Sequence, residues 1–101
     1  MAKYHFTNKA VEDLADIWNY TFETWSERQA DIYYNTLIES CQKIAEAPLL
    51  YGLKYDEITE GLRGYRANKH IIFYQILQDD EILVIRILNQ RMDLKRRMIE
   101  N

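Results

Sequence analysis

Arg63, Arg66, Lys69, His70 and Arg86 lie on or beside segments that otherwise read as buried strands, and side chains of these types can serve two kinds of chemistry. Against a phosphodiester, cations offset the charge on phosphorus while an acid and a base move the proton. Against another protein, the same cations recognise carboxylates. The remaining chemistry-bearing residues narrow the choice. His5 and His70 are the two histidines, sit on different elements and have no second ligand at zinc spacing, so no metal site is expected. Cys41 falls on an apolar helical stripe and reads as core, not as a nucleophile. Glu12, Asp13 and Asp16 cluster near a helix start, where acids favour the helix dipole. Gly52, Gly61 and Gly64 match no phosphate-cradling loop, and no cofactor is expected.

The elements that must hold these groups fit in one domain. A chain of 101 residues, 48% hydrophobic and 29% charged, builds a single modest core, and its 3 glycines and 1 proline leave no linker to divide it. Residues 1–101 are therefore read as one domain. The lone cysteine forms no internal disulfide and MAKYHFT has no long apolar run, so a reducing cytoplasm and no membrane span are expected. The net charge of −3 hides an asymmetry. Residues 1–62 carry 5 cations against 11 acids, and residues 63–101 carry 8 against 5. This argues against general affinity for a phosphate backbone, where counterion release needs many cations, and leaves room for one local basic face; no direct sequence-specific nucleic-acid binding is expected.

Periodicity assigns the two halves. Lys3 to Phe6 reads as a short strand, with Thr7 or Asn8 capping a helix. Leu14, Ile17, Trp18, Thr21 and Trp25 then recur at three and four residues, with Asp13, Asp16 and Glu23 largely off that face. Ser26 with Gln29 forms a capping box before a second stripe of Ala30, Tyr33, Tyr34, Leu37, Cys41, Ile44 and Ala45. So short a connection forces an antiparallel hairpin. Residues 62–68, 70–77 and 81–88 are rich in Ile, Val, Tyr and Phe and predict three antiparallel strands, with Gln78-Asp79-Asp80 as a turn. In the last strand Leu83, Ile85 and Ile87 form the face expected to take the hairpin, and Val84, Arg86 and Leu88 the other. Arg66 and Arg86 are then expected on an open sheet face, Arg86 at most paired with Asp93 or a neighbouring acid. Residues 93–99 predict a short basic helix. The fold class is α+β: an N-terminal strand, a two-helix hairpin on one face of a small antiparallel sheet, and a C-terminal helix.

That order, with AVEDLADIWNYT, GLRGYRANKHIIFYQI and ILVIRILNQRMD, resembles the ParE branch of the ParE/RelE superfamily of bacterial toxins over nearly the whole chain. The most specific part is Arg63, Arg66, His70, Ile72-Phe73-Tyr74, Arg86-Ile87-Leu88 and Gln90-Arg91-Met92-Asp93. The resemblance implies the toxic half of a toxin–antitoxin pair, a ParD-like antitoxin as partner and DNA gyrase as target. ParE-like sequences often carry histidine before QRMD, where this chain has Asn89. RelE-like members of the superfamily cut messenger RNA, commonly with an arginine three residues before the tyrosine of the central strand. Counting back from Tyr74 gives Ile71, which can neither donate a hydrogen bond nor stabilise a phosphorane. The final strand leads to Asn89-Gln90 in place of histidine or tyrosine. The expectation is a binding protein, not an enzyme, with Arg63, Arg66, His70, Arg86, Asn89, Gln90, Arg91, Asp93, Lys95, Arg96 and Arg97 as candidate contacts for target or antitoxin. A RelE-like nuclease with an altered site, or a non-toxic interaction module, are the alternatives.

Overall fold

Two side-chain caps start the helical hairpin. In a computed structural model, which describes residues 2–99, the Thr7 hydroxyl accepts from the Ala10 amide at 3.1 Å and Ser26 Oγ accepts from the Gln29 amide at 3.1 Å. Each satisfies an amide that the first turn leaves unpaired. The helices are α1 (Asn8–Thr24) and α2 (Glu27–Glu46), separated by Trp25 and Ser26 alone, and they pack antiparallel. Around them run β1 (Lys3–Phe6), β2 (Leu53–Lys54), β3 (Arg63–Ala67), β4 (His70–Gln78), β5 (Glu81–Asn89) and the short α3 (Leu94–Ile99).

The five strands form one sheet in the order β1-β5-β4-β3-β2. Pairing among β3, β4 and β5 is antiparallel, as the sequence predicts; β2, which the sequence reading did not include, adds antiparallel to β3, and β1 joins the edge of β5 in parallel, Lys3 opposite Glu81 and Phe6 opposite Val84. A parallel pair needs a long crossover, and the hairpin with the other strands supplies it. At the β3–β4 turn Asn68 takes φ 57°, the left-handed conformation that asparagine tolerates.

Register in β5 departs from simple alternation. Phe73 lies opposite Arg86, but Tyr74 lies opposite Val84, so Ile85 is an extra residue in a β-bulge. The bulge changes which side chains meet the hairpin. Ile82, Val84 and Ile87 pack with Ile72 and Tyr74 against Ala10, Leu14, Leu37, Cys41 and Ile44, in place of the expected Leu83, Ile85 and Ile87. Ile85 and Leu88 lie in a second cluster with Leu62, Ile71, Phe73, Tyr55, Ile58, Leu94 and Met98. The sheet face away from the hairpin is therefore largely covered by the 55–62 loop and α3, which corrects the expectation of an open face. Trp25, expected on the core stripe, is 73% exposed: it is the C-cap of α1, where the backbone has left helical geometry and the three- and four-residue spacing no longer fixes its direction.

Candidate functional site

The basic residues do not form one surface, and the strand register shows why. Along β3, residues three apart face opposite sides. Arg63 lies opposite Tyr74, a side chain of the hairpin-facing cluster, while Arg66 lies opposite Ile71 of the other cluster. Arg63 donates to the Leu49 and Gly52 carbonyls at 3.3 and 2.9 Å, bracing the loop that follows α2. Tyr74, fully buried, donates to the Pro48 carbonyl at 2.7 Å in the same node. Burial pushes the Tyr74 phenol above its usual range, and the neighbouring Arg63 guanidinium opposes that shift. Gly52 is needed here for two reasons: its φ is +70°, and a Cβ on it would stand 2.3 Å from the Tyr74 hydroxyl.

Arg86 is the centre of the second group. Its Nε and Nη2 donate to both oxygens of Asp13 at 2.8 and 2.9 Å, a bidentate pair with each side chain under 15% exposed. The remaining carboxylate lone pairs take the Ile87 amide at 3.0 Å. That amide belongs to the stretch of β5 beyond the end of β1, where the strand edge has no neighbour, and α1 covers it with polar side chains. Thr7 donates to the Ile85 carbonyl at 2.7 Å just before it. Arg86 also donates from Nη1 to the Arg97 carbonyl at 3.0 Å, tying α3 to the same junction. Arg86 is thus neither on an open face nor paired with Asp93, as the sequence led one to expect, but joined to Asp13. Asp13 itself escaped the sequence reading because an acid on an amphipathic helix reads as solvated. Its spacing from Ala10, Leu14 and Ile17 placed it on the buried face all the same.

The other candidates gather at one end of the sheet. His70 lies opposite both Ala67 and Asn89 at the strand ends. Its Nδ1 is 2.7 Å from the Tyr33 hydroxyl, so it joins α2 to β4. Burial lowers its pKa, with the Asp13 charge acting the other way, and burial raises the Tyr33 phenol. Asn89 Oδ1 accepts from the Arg91 amide at 2.9 Å and shapes the turn that leaves β5, while the Gln90 amide donates to the Lys69 carbonyl at 3.0 Å. Asp93 caps α3, its Oδ1 accepting from the Arg96 amide at 3.2 Å. Arg66, Arg91, Lys95, Arg96 and Arg97 present exposed side chains. A cleft of about 190 Å³ between α1, β5 and α3 is lined by Asp13, Asp16, His70, Arg86, Asn89 and Arg97, among others. That is smaller than the roughly 300 Å³ at which small-molecule sites begin, and it mixes both signs of charge. The arrangement suits contact with a macromolecule better than capture of a metabolite. Cys41 is buried and its thiol is pushed up to about 12, which leaves it protonated.

Comparison with known proteins gives this geometry a family. The family model described as "ParE toxin of type II toxin-antitoxin system, parDE" matches residues 4–94. The chain belongs to the ParE toxin family. Toxin ParE1 of Mycobacterium tuberculosis is 33% identical over 97 residues, covering 96% of this chain and 98% of the relative. Toxin ParE1 of Caulobacter vibrioides is 30% identical over 95 residues, covering 94% and 96%. Among solved structures, a chain of the "Chromosomal ParDE TA system from P. aeruginosa" superimposes with a TM-score of 0.74 at 18% identity, over 88% of this chain and 96% of that one. At that identity the likeness speaks for the fold alone, and it is the ParE fold. Among the described residues no helix is long and apolar enough to cross a membrane.

Proposed function

We propose that this ParE-family chain stops growth by binding DNA gyrase in the cytoplasm, makes and breaks no bonds itself, and is neutralised by a cognate ParD-like antitoxin. Membership of the family of type II toxins supports the toxic role. One structural observation supports occupation of a target over cleavage of RNA. At the two central-strand positions where RelE-like nucleases place an arginine and a tyrosine, this chain buries Ile71 in the Leu62–Phe73–Leu88 cluster and locks Tyr74 onto the Pro48 carbonyl. Neither side chain can reach a phosphodiester. The accessible cations at the β5 exit and on α3, Arg91 and Lys95 first among them, then serve recognition of acidic groups on a partner protein. The reading is tested in cells by pulse-labelling after induction. DNA synthesis should fall first, with protein synthesis following later, and co-expression of the adjacent reading frame should restore both. Early loss of protein synthesis with DNA synthesis intact would instead indicate a nuclease.

A further inference from the structure

The segment between α2 and β2 is held rigidly and yet turns its apolar side chains to water. Leu49 and Leu50 are 76% and 75% exposed, more than any other large apolar side chain among the described residues, and Leu53 beyond them is 73% exposed. The backbone beneath them is pinned. Tyr74 donates to the Pro48 carbonyl, and Arg63 Nη2 donates to the carbonyls of Leu49 and Gly52. The Leu50 and Tyr51 amides donate to the Ala47 carbonyl at 3.0 and 3.3 Å. The Tyr51 ring stands edge-on to Tyr65 with centroids 5.9 Å apart, and the Lys43 ammonium lies 4.9 Å from the Tyr51 centroid. Single exposed leucines are ordinary; adjacent ones on a braced loop form a projecting knob, and loops fixed on a rigid scaffold are where proteins place recognition.

Shape and charge select the occupant. A knob needs a recess, which a folded partner offers and a disordered segment, laid along a groove as helix or strand, does not. A second copy is a poor host, because this chain's clefts of about 560 and 190 Å³ are lined by charges of both signs. Residues 46–60 carry Glu46, Asp56, Glu57 and Glu60, all exposed, against Lys54. That rim repels nucleic acid and anionic lipid and suits lysine or arginine around the recess. We propose that Leu49 and Leu50 anchor this chain on the protein it inhibits, entering an apolar recess of that target rimmed by cations. The proposal rests on the reading of the chain as a gyrase-binding toxin and deepens it. The exposed cations at the β5 exit meet acidic groups, while the leucine loop supplies the apolar anchor. Because the loop is already braced, docking orders little that was free.

The test compares variants in plasmid supercoiling by gyrase. Leu49→Ser with Leu50→Ser should raise the concentration for half-inhibition about 30-fold, as expected for loss of an interface anchor. The thermal midpoint of the isolated chain and its affinity for the product of the adjacent reading frame should stay nearly unchanged. Leu49→Ile with Leu50→Met, which keeps the apolar volume, should inhibit nearly as well as the parent. Leu77→Ser removes a half-exposed leucine of β4 outside the loop and should change nothing. Glu57→Lys with Glu60→Lys should weaken inhibition; unchanged or stronger inhibition would refute the cationic rim. Undiminished inhibition by the double-serine variant overturns the proposal and leaves the gyrase reading standing, even if that variant loses self-association or its hold on the adjacent product. An equal loss from Leu77→Ser, or a fall in affinity for the adjacent product as large as that for gyrase, would mark a general surface effect and likewise overturn it. No inhibition by the unaltered chain removes both readings.

Discussion

Replacing Asp13 by alanine should be among the most damaging single changes in this protein, although the residue is an acid on an amphipathic helix. The carboxylate accepts three hydrogen bonds, from Arg86 Nε, Arg86 Nη2 and the Ile87 amide. Side-chain exposure is 14% for Arg86 and 11% for Asp13, so water can replace little of what is lost. Removing one partner of a buried pair costs about 3 to 5 kcal/mol, because the other charge stays behind unpaired. The Ile87 amide would lose its acceptor as well, but these terms share one carboxylate and do not add in full. A loss of about 3 to 5 kcal/mol is expected, comparable with about 2 to 5 kcal/mol for Leu37→Ala in the core. Arg86→Met should cost a similar amount for the same reason, even though a strand arginine at a solvent face would cost little. The double variant Asp13→Ala, Arg86→Met should cost clearly less than the sum of the two single changes, with a coupling of about 2 kcal/mol. Urea midpoints with matched slopes measure all of this, and amide exchange at Ile87 reports the junction locally. If Asp13→Ala cost under about 1 kcal/mol, or if the two single changes simply added, the pair would be behaving as a hydrated surface bridge and the account of the β5 edge would be wrong.

Three further outcomes follow from the same structure. Burial holds the His70 pKa below its ordinary 6.5, so the unfolded chain takes up this proton first as pH falls. Stability contributed by neutral His70 should be complete above pH 6.5 and be lost progressively below it; His70→Gln should reduce the fall in thermal midpoint between pH 7.5 and 5.5, and an unchanged fall would refute the assignment. Gly52→Ala should destabilise by more than about 1 kcal/mol through its positive φ and the crowding of Tyr74, a loss that calorimetry would register. Arg91→Ala with Lys95→Ala should reduce toxicity in a growth assay while moving the thermal midpoint by under about 0.5 kcal/mol equivalent, since both side chains are exposed; a matching loss of stability would show a structural role instead.

Local chemistry made much of the fold legible. Thr7 and Ser26 announce the helix starts, the three- and four-residue spacings mark the hairpin, and β-branched and aromatic runs mark β3, β4 and β5. Three features depend on contacts that no local pattern carries. The pairing of β1 with β5 joins residues 78 apart, Lys3 to Glu81, and its parallel direction follows from the crossover. The bulge at Ile85 inverts the alternation that a period of two would continue, exchanging Ile85 for Val84 on the hairpin side. β2 has two residues, Leu53 and Lys54, too few to show a period. For the site, the sequence located the basic residues but not their commitments: Arg63 to loop carbonyls, His70 to Tyr33, Arg86 to Asp13. Asp13 was hidden by its type while visible by its spacing. The resemblance to the ParE branch, carried by residues 63–93, pointed to the family that the comparisons show.

The central claim is that this chain acts by occupying gyrase and cuts nothing. Purified protein added to gyrase with relaxed plasmid, in parallel with ribosomes translating a defined message, tests it in one measurement. Inhibited supercoiling or accumulated cleaved plasmid, beside an intact message, is the predicted result. An unaffected gyrase reaction beside a codon-phased cut in the message would contradict it.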